Sequence, residues 1–324
     1  GKMEEQVIPA SGMAFHGLKM RGLKGTGLAG KCTGAALAGK AVVECRGLLR
    51  SFRPDLLVGV GGYSSGPAAL AAWSLGIPVV LQEQNTVPGM TNRILGRVAR
   101  KTFLAFGEAA PFFPAGSTVV TGNPLRKGAL GKERAVAGEG RVRVLILGGS
   151  RGARGVNRIV VDALPLLEGA EKGMTFVHQS GAEDHTWVER SYREREIEAE
   201  VRTFIDGLGE KYSWADVVIS RSGAGAVSEL AANGRPAILV PFPHAAGDHQ
   251  RKNALWLSEK GGAVMVSEGE EGSAGRLAGT LKELAADGER LREMAKCSGR
   301  AGRRDAAARI VAECREILEV KEGG

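Results

Sequence analysis

The chain has 324 residues, of which 43% are hydrophobic and 25% are charged, a composition typical of a globular protein. This length is sufficient for two α/β domains with separate cores. The formal net charge is +8, and the first 60 residues, with nine basic and four acidic side chains, contribute +5 of it. Because only 5% of the residues are aromatic and none interleave a basic motif, nucleic acid is the least favoured partner. An anionic membrane surface and a merely solvated basic face stay open as alternatives.

Cysteine spacing and hydropathy indicate the cellular compartment and whether the chain spans a membrane. The four cysteines show no CxxC spacing, which predicts reduced thiols in a cytosolic chain. No apolar run in the sequence is long enough to cross a bilayer, and no signal peptide is recognisable. Since the first residue is Gly1 and not Met, we expect the native chain to begin further upstream.

The first half of the chain has the strand, glycine loop, helix and strand order of a βαβ unit. Apolar runs without alternation predict buried parallel strands, and helical spacing of apolar residues predicts the helices. In chain order, the predicted elements are a helical turn and a strand near 15–20, a helix at 35–52, a strand at 55–60, the loop GGYSSGP (61–67), a helix at 68–75, a strand at 77–81, a helix at 91–101, and strands near 102–106 and 118–121.

Polar residues follow the strand predicted at 77–81. Glu83, Gln84 and Asn85 lie where the carboxyl ends of strands bind ligands in open parallel sheets, so they suggest contacts to a hydroxyl-rich ligand. An ordinary polar loop is the alternative. Residues 127–140 are rich in Gly, Ala and charged side chains, and we predict that they form the linker between two domains.

The second half repeats the α/β pattern. Its loop GGSRGA (148–153) lacks the G-x-G-x-x-G spacing of dinucleotide-binding loops, and the acidic residue expected after such a loop is not clearly placed. A nicotinamide cofactor is therefore disfavoured. The loop and the start of the helix that follows it are better suited to binding a phosphate group. The predicted elements are a strand at 142–147, a helix at 154–167, strands at 174–178 and 200–204, a helix at 208–214, a strand at 216–219, a helix at 226–232, a strand at 236–240, and two or three helices within 273–320.

The stretch 220–253 concentrates the candidate ligand contacts. Small residues at 222–226 let the backbone approach a ligand, and amides at the start of the following helix attract phosphate. Glu229 then lies where it can accept hydrogen bonds from a ribose diol. These features suggest half of a sugar-nucleotide site, with an ordinary strand–loop–helix as the alternative. A loop predicted after the strand at 236–240 carries His244, Asp248, His249, Gln250 and Asn253.

Six stretches together are far more specific than any single glycine loop. They are VGVGGYSSGPAALAAWSLGIPVVLQEQN (58–85), TGNPLR (121–126), LILGGSRGARGVN (145–157), HQSG (178–181), FID (204–206) and WADVVISRSGAGAVSELAANGRPAILVPFPHAAGDHQRKNA (214–254). In these stretches the sequence closely resembles the MurG family of bacterial N-acetylglucosaminyltransferases, which belongs to glycosyltransferase family 28. The resemblance implies an α/β GT-B fold, in which two Rossmann-like domains with parallel sheets face an inter-domain cleft.

The resemblance also implies the division of the chain and its activity. Residues 1–126 would form an acceptor and membrane-side domain, residues 141–305 would form a domain that binds UDP-GlcNAc, and a helix at about 306–324 would pack back on the first domain. The implied reaction is inverting transfer of GlcNAc from UDP-GlcNAc to lipid I, undecaprenyl-diphospho-MurNAc-pentapeptide. The product is lipid II for peptidoglycan synthesis. The implied location is peripheral, on the cytoplasmic face of the bacterial cell membrane.

Substrate-binding residues carry over from the family position by position. The resemblance implies that Asn85 contacts the donor sugar, that Arg126 binds the donor near the domain junction, and that Ser150 contacts the pyrophosphate. Ile205 would hold the uracil, and Gln250 and Asn253 would select GlcNAc through its hydroxyl groups. The family's nucleotide-binding stretch would correspond to Ala224, Gly225, Ala226, Val227, Ser228 and Glu229. Its last residue, Glu229, would contact the ribose.

One departure from the family concerns the catalytic base. The family opens with a strand and a further glycine-rich loop whose histidine is thought to be the general base. The resemblance starts just downstream of that loop, so we expect roughly 35–45 residues, about one βαβ beginning, to lie upstream. We therefore expect donor binding to be intact or weakened and turnover to be lost or very low. None of the five histidines lies in such a loop: His16, His178, His185, His244 and His249.

Neither a metal nor another cofactor is expected. The chain contains no D-x-D pair, the motif with which metal-dependent sugar transferases hold a cation on the diphosphate. Helix starts at 150–154 and 224–228, with Arg126 or Arg151 nearby, would stabilise the leaving UDP instead. Two alternatives stay open: another GT-B sugar-nucleotide enzyme such as a UDP-GlcNAc 2-epimerase, and a non-catalytic UDP-sugar-binding fragment.

The lipid acceptor of the family agrees with the basic first half of the chain. Small and apolar residues alternate there with lysines and would form a shallow membrane-binding patch. The patch consists of Leu28, Ala29, Leu37 and Ala38 between Lys24, Lys31 and Lys40.

Overall fold

The computed structural model describes residues 4–18, 28–62, 65–132, 141–148, 153–167 and 169–322. These residues form two α/β units, each built on a parallel sheet. Parallel strands need crossover connections, whose helices cover both faces of the sheet and so explain the uninterrupted apolar strands. The predicted α/β class with two parallel sheets is confirmed.

The first sheet has its four strands in chain order. The strands are β1 (Leu57–Gly59), β2 (Val79–Glu83), β3 (Lys101–Leu104) and β4 (Thr118–Val120). The helices are α1 (Glu4–Ala10), α2 (Leu28–Phe52), α3 (Ser65–Ser74) and α4 (Met90–Leu95), with a short 3-10 helix at Gly107–Phe112. β2 is buried along its whole length, and its Val79 and Leu81 pack with Ala69 and Ala72 of α3.

Two predicted elements of this unit are wrong. The strand near 15–20 is not formed in its described part, because residues 13–18 have no regular secondary structure. The helix predicted over 91–101 ends at Leu95. At the next position Gly96 packs so closely that an added Cβ would lie 2.5 Å from the Phe113 ring.

The second sheet has the strand order β10-β9-β8-β5-β6-β7, in which the strands are β5 (Val142–Leu147), β6 (Met174–Gln179), β7 (Ala199–Arg202), β8 (Val217–Ser220), β9 (Ala237–Leu239) and β10 (Ala263–Met265). The chain adds strands on one side of β5 up to β7 and then continues on its other side with β8, so the direction of strand addition reverses between β5 and β8. Open parallel sheets bind ligands beyond the carboxyl ends of the strands at such a reversal. The helices are α5 (Arg154–Ala163), α6 (His185–Arg193), α7 (Leu208–Trp214), α8 (Ala224–Ala232), α9 (His249–Glu259), α10 (Ser273–Ala286) and α11 (Gly288–Ala301), with 3-10 helices at Leu164–Leu166, Ala170–Gly173 and Ala246–Asp248.

Two helices of this unit differ from the prediction. No helix was predicted at α6, whose buried residues are Val188 and Tyr192 and whose Trp187 also packs against the core. The loop predicted to carry His249, Gln250 and Asn253 is wrong in that part, because these residues lie on α9. Three candidate side chains are therefore held by a helix rather than by a loop.

The two units contact each other through several elements. The Phe106 ring meets the Trp256 ring edge-on at 4.5 Å between centroids. The last helix, α12 (Ala306–Glu322), contributes an ion pair between Glu313 and Lys101 of β3. Where β4 ends, an added Cβ on Gly122 would lie 2.7 Å from the Cβ of Arg303, so the absence of a side chain at this glycine lets Arg303 pack closely against it.

The connection after β4 is attached to the second unit. Gly209 of α7 donates from its amide to the Gly128 carbonyl at 3.0 Å, and Asn233 donates from Nδ2 to the Ala129 carbonyl at 2.9 Å. The boundaries 1–126, 127–140 and 141–305 stay predictions. Within the described ranges, no helix combines the length and the apolar content that a membrane crossing requires.

Candidate functional site

A buried carboxylate lies where the second sheet faces the cleft. Glu229 on α8 is 2% exposed. Arg126 donates from Nε to its Oε1 and from Nη2 to its Oε2, both at 2.7 Å. The Tyr212 hydroxyl donates to the same Oε2 at 3.1 Å. The structure thus joins two predicted site residues, Arg126 and Glu229, in a bidentate pair, the strong form of an arginine–carboxylate contact.

The charges in this cluster affect the titration of its members. The hydrogen bond to Glu229 raises the pKa of Arg126, while burial opposes that rise. Burial raises the pKa of Tyr212 well above its usual value, and the Glu229 carboxylate raises it further. Tyr212 therefore stays protonated at neutral pH and acts as a donor. The Arg126 side chain is 69% exposed whereas that of Glu229 is 3% exposed, so the arginine can leave the pair without opening the core.

The start of α8 supplies free backbone donors. The helix begins at Ala224 after Gly223, which is extended with φ −61° and ψ 147°. The first amides of a helix have no carbonyl partner within it. The amide of Val227 is the first that donates within the helix, to Gly223 at 3.0 Å, and its side chain is fully buried in the core. Of the predicted nucleotide stretch, the first turn (Ala224, Gly225 and Ala226) therefore has amides without a carbonyl partner in the helix, whereas the Val227 amide has one.

Ser228 and Ser222 flank this turn. Ser228 is 8% exposed and lines a narrow gap between the two units with Phe106 and Trp256. The Ser222 hydroxyl is fully buried and has no hydrogen-bond partner in the described part of the chain. Both hydroxyls thus lie next to the helix start, at the domain boundary.

Asn253 on α9 links the two units and is fully buried. Its Oδ1 accepts from the amide of Thr86 at 3.1 Å and from the Thr86 hydroxyl at 3.0 Å. Its Nδ2 donates to Asn85 Oδ1 at 3.2 Å and to the Ser222 carbonyl at 3.3 Å. The structure therefore brings together Asn85 and Asn253, two predicted sugar contacts, and bonds them to each other across the cleft.

The other predicted residues are engaged within the second unit. Gln250 accepts from the Phe242 amide through Oε1 at 3.0 Å. Ile205 is 4% exposed in an apolar core, and its amide donates to Gln179 Oε1 at 3.0 Å. Ser150 lies outside the described residues.

A second ion pair lies beside the start of α5. Arg221 pairs with Glu268, and the Glu268 carboxylate lies directly against Gly155. Arg221 also donates to the carbonyl oxygens of Val240 and Pro241, each at 3.2 Å. This arginine ties together the loops that follow β8, β9 and β10.

A buried polar network fixes the other side of α5. The Nε2 of His178 meets Asn157 Oδ1 at 3.0 Å, and its Nδ1 meets the Tyr192 hydroxyl at 3.2 Å. Asn157 donates from Nδ2 to Asp184 Oδ2 at 2.8 Å. Burial lowers the pKa of His178 to about 3, so the imidazole is neutral at physiological pH. The network holds α5 against β6, and its contacts are structural.

Two residues of the site were missed by the sequence analysis. Thr86 directly follows the QEQN motif, and that position is a signal that was available. Tyr212 lies on a short helix next to Trp214, where an aromatic residue indicates core packing. No motif in the sequence links it to a carboxylate 17 residues further on.

Comparison with known protein families gives two matches. The family model for the glycosyltransferase family 28 C-terminal domain matches residues 143–310. The model for the glycosyltransferase family 28 N-terminal domain matches residues 1–104.

Relatives match over nearly the whole chain. A protein of Anaeromyxobacter dehalogenans (strain 2CP-1) is 40% identical over 322 residues, which are 99% of this chain and 84% of that protein. A protein of Myxococcus xanthus (strain DK1622) is 40% identical over 317 residues, 98% of this chain and 82% of its own. Both are named UDP-N-acetylglucosamine–N-acetylmuramyl-(pentapeptide) pyrophosphoryl-undecaprenol N-acetylglucosamine transferase.

Solved structures share the architecture. The crystal structure of Acinetobacter baumannii MurG superimposes with a TM-score of 0.78 at 29% identity, covering 97% of this chain and 88% of that one. A UDP-GlcNAc 2-epimerase of Neisseria meningitidis, bound to UDP-GlcNAc, gives a TM-score of 0.61 at 13% identity, with 97% and 89% covered. The second likeness shows the fold alone. With the family matches, the first confirms the predicted GT-B arrangement.

Proposed function

The chain belongs to glycosyltransferase family 28, and on that premise we propose that it transfers N-acetylglucosamine from UDP-GlcNAc to lipid I, which yields lipid II. The relatives bear the name of this transferase. The prediction of a MurG-type N-acetylglucosaminyltransferase from the sequence is confirmed to that extent. The observation that carries the proposal in the structure is the buried Glu229 with its exposed, exchangeable partner Arg126 at the carboxyl edge of the second sheet.

We assign the nucleotide to the second unit. Glu229 accepts the ribose hydroxyls, and the free amides at the start of α8 receive the diphosphate. Arg126 leaves the carboxylate and moves to the phosphates, because its charge then neutralises the leaving group and the diol takes its place on Glu229. The uracil lies at Ile205, whose amide becomes a donor to it when Gln179 Oε1 releases that amide. Ser150 stays a predicted pyrophosphate contact.

We assign the sugar to the contact between the two units. Asn85 and Asn253 are bonded to each other in the structure, and Gln250 lies one turn before Asn253 on α9. A GlcNAc between them would exchange the asparagine pair for hydroxyl contacts from both units. Binding of the donor sugar is thereby coupled to the relative position of the domains.

The chemistry follows from this placement. The acceptor hydroxyl attacks the anomeric carbon from the face opposite to UDP and gives up its proton to water. The bond from that carbon to the β-phosphate oxygen breaks, UDP leaves and the configuration inverts. Negative charge grows on the departing diphosphate in the transition state. The α8 amides and the Arg126 guanidinium stabilise that charge, because both are in place on the diphosphate once the donor is bound.

A transfer assay tests the proposal. UDP-GlcNAc with a labelled sugar is incubated with a lipid I analogue, and UDP binding is measured separately by calorimetry. We expect saturable UDP binding and, in keeping with the very low turnover expected from the sequence, only slow appearance of label in a lipid-linked product. UDP binding with release of free N-acetylmannosamine would favour the epimerase alternative, and binding with neither product would favour a non-catalytic binding fragment. A folded protein that binds no UDP would contradict the assignment of the nucleotide site.

We further propose that the first unit meets the anionic membrane surface, on the cytoplasmic face that the family resemblance implies. Most of the predicted patch lies outside the described side chains, and Leu37 is its exposed apolar member, at 37%. Nearby on the packed pair α2 and α3, Val43 and Trp73 are 70% and 56% exposed. Arg46 of α2 donates to Ser74 at the end of α3, so a cation accompanies this apolar surface.

Flotation with liposomes tests this surface. We expect the protein to float with vesicles that contain anionic lipid and to float less with neutral ones. Trp73→Ser should reduce flotation several-fold. Leu166→Ser, at a 43% exposed leucine of the second unit, is the matched control and should leave flotation unchanged. Equal flotation of the two variants would contradict the proposed surface.

A further inference from the structure

Of the two side chains that donate to Glu229 in the described part of the chain, Tyr212 is the one held in the core. It is 1% exposed and belongs to a core cluster that includes Val227 and Leu230 of α8. Its hydroxyl donates to Glu229 Oε2 at 3.1 Å. Arg126, the other partner, has a side chain that is 69% exposed. The carboxylate is therefore shared between a fixed neutral donor and a mobile charged one.

The helix that carries Tyr212 is held at both ends. The Gly209 amide donates to the Gly128 carbonyl at 3.0 Å, and an added Cβ on Gly209 would lie 2.6 Å from that oxygen. The Ser213 hydroxyl donates to the Lys132 carbonyl at 2.9 Å. These contacts fasten α7 to the segment that connects the two units, and the phenol of Tyr212 has a fixed position as a result.

The number of acceptor sites on the Glu229 carboxylate shows what the fixed Tyr212 hydroxyl contributes. An ionised carboxylate has about four lone-pair sites on its two oxygens. Arg126 uses one site on each oxygen, and Tyr212 uses one more on Oε2. When the arginine departs, the Tyr212 bond still fixes the carboxylate plane and leaves acceptor sites on both oxygens. Two neighbouring hydroxyl groups match two such sites.

We propose that Tyr212 is a positioning residue that orients Glu229 toward the ribose diol and so makes the site selective for ribonucleotides. This inference rests on the proposed function, because it assumes that Glu229 receives the ribose. The contrasting possibility is that Tyr212 is a core residue whose hydroxyl happens to be satisfied. The two differ in one measurable quantity, the preference for UDP over 2′-deoxy-UDP.

The experiment compares two buried tyrosines. Tyr192 is also buried, at 2% exposure, and its hydroxyl meets His178 Nδ1 at 3.2 Å within the same unit. Tyr212→Phe and Tyr192→Phe each remove one buried hydroxyl contact. Affinities of wild type and both variants for UDP and 2′-deoxy-UDP are measured by calorimetry, with thermal unfolding as the folding control.

We expect Tyr212→Phe to weaken UDP binding about fivefold to tenfold, the value of one hydrogen bond. Binding of 2′-deoxy-UDP should change less than about twofold, since one of the two hydroxyls that need the orientation is already missing. Tyr192→Phe should leave the ratio of the two affinities unchanged. In a Glu229→Gln background, Tyr212→Phe should cause little further loss, because the tyrosine acts through the carboxylate.

The outcomes separate this inference from the function it rests on. If wild type binds no UDP, the proposed function fails. If wild type binds UDP and Tyr212→Phe weakens UDP and 2′-deoxy-UDP equally, or neither, only the role of Tyr212 is overturned. Should Tyr212→Phe not fold, 3-fluorotyrosine at this position keeps the ring and makes the hydroxyl a stronger donor. The preference for UDP should then rise, and an unchanged preference would overturn the inference.

Discussion

Two buried carboxylates face the cleft from opposite units, and they are satisfied in different ways. Glu83, at the end of β2, is 1% exposed and accepts four hydrogen bonds: from the backbone amide and Nδ2 of Asn85 at 2.9 and 3.3 Å, from Asn92 Nδ2 at 2.9 Å and from the Gly89 amide at 3.3 Å. These donors are neutral and lie within nine residues along the chain. Glu229 instead accepts from a charged residue 103 positions away and from a tyrosine.

The difference separates a structural carboxylate from an exchangeable one. The donors to Glu83 come from the segment that directly follows it, so the carboxylate and this segment hold each other in place. None of these donors is a charged, exposed side chain that a ligand could displace. The main donor of Glu229 is exposed and charged, so it can leave when a better partner arrives. Replacing the first residue should therefore affect folding, whereas replacing the second should affect ligand binding.

The largest expected effect is that of Glu83→Ala on stability. A buried donor left without its acceptor costs about 1–3 kcal/mol, so losing the four bonds to Glu83 should lower the free energy of unfolding of the first unit by about 4 kcal/mol. UDP affinity should change less than about twofold, because the nucleotide is assigned to the other unit. Urea denaturation and UDP calorimetry measure the two quantities. Glu83→Gln, which keeps one acceptor oxygen, should lose less, and a stable Glu83→Ala would remove the contrast.

Glu229→Gln should show the opposite pattern. A hydrogen bond to a charged group contributes about 1.5–3 kcal/mol, so UDP affinity should fall about thirtyfold. Stability should fall only about 1 kcal/mol, since Tyr212 keeps an oxygen acceptor and Arg126 is open to water. The control is Glu198→Gln, at an exposed glutamate paired with Arg141, which should leave UDP binding unchanged. A large loss of stability with unaltered affinity would reverse the proposed roles.

His178, a third buried polar side chain, should make the free energy of unfolding depend on pH. Burial lowers the pKa of His178 to about 3, below its ordinary value of 6.5. Between these values the unfolded chain binds a proton that the folded chain does not, so stability falls as the pH falls. From pH 7.5 to pH 5 the loss should be about 2 kcal/mol. Urea midpoints at pH 7.5 and 5 measure it for wild type and His178→Gln. An equal drop in both proteins would assign the acid sensitivity to other groups.

The smallest effect on stability is expected for Arg126→Ala. The arginine is mostly exposed, so the loss should stay below about 1 kcal/mol. UDP affinity should fall about tenfold with the loss of one charged contact to phosphate. Uridine, which has no phosphate, should bind at least as well as to wild type, because the carboxylate no longer has a competing partner. Equal weakening of UDP and uridine, measured by calorimetry, would contradict the exchange of Arg126 for the ribose.

Much of the fold could be predicted from local patterns. β5 and α7 have the bounds that the sequence indicated, 142–147 and 208–214, since each combines a marked apolar pattern with clear ends. α6 was not predicted, because only two of its side chains are buried and, apart from Trp187, the rest are polar. The strand near 15–20 fails in its described part, because short apolar pieces between glycines were given more weight than they support.

The candidate site was predictable as a set of residues but not as a set of contacts. Motifs indicated Asn85, Arg126, Glu229 and Asn253, and the structure groups them into two clusters. Tyr212 had no motif of its own, since buried tyrosines are common in cores and only a contact distinguishes this one. The placement of Gln250 and Asn253 on a helix was missed because the glycine and proline residues before it suggested a longer loop.

By itself, the sequence determined the parallel α/β class, most strands, the glycine loops and the residue types that meet a sugar nucleotide. Each of these depends on neighbours within a few positions, which is the range that periodicity reports. Only the tertiary structure decided that Arg126 covers Glu229, that Tyr212 supports it, and that Asn253 bonds to Thr86 167 residues away. Such pairs depend on how two sheets and their connection dock, and no local pattern along the chain encodes that geometry.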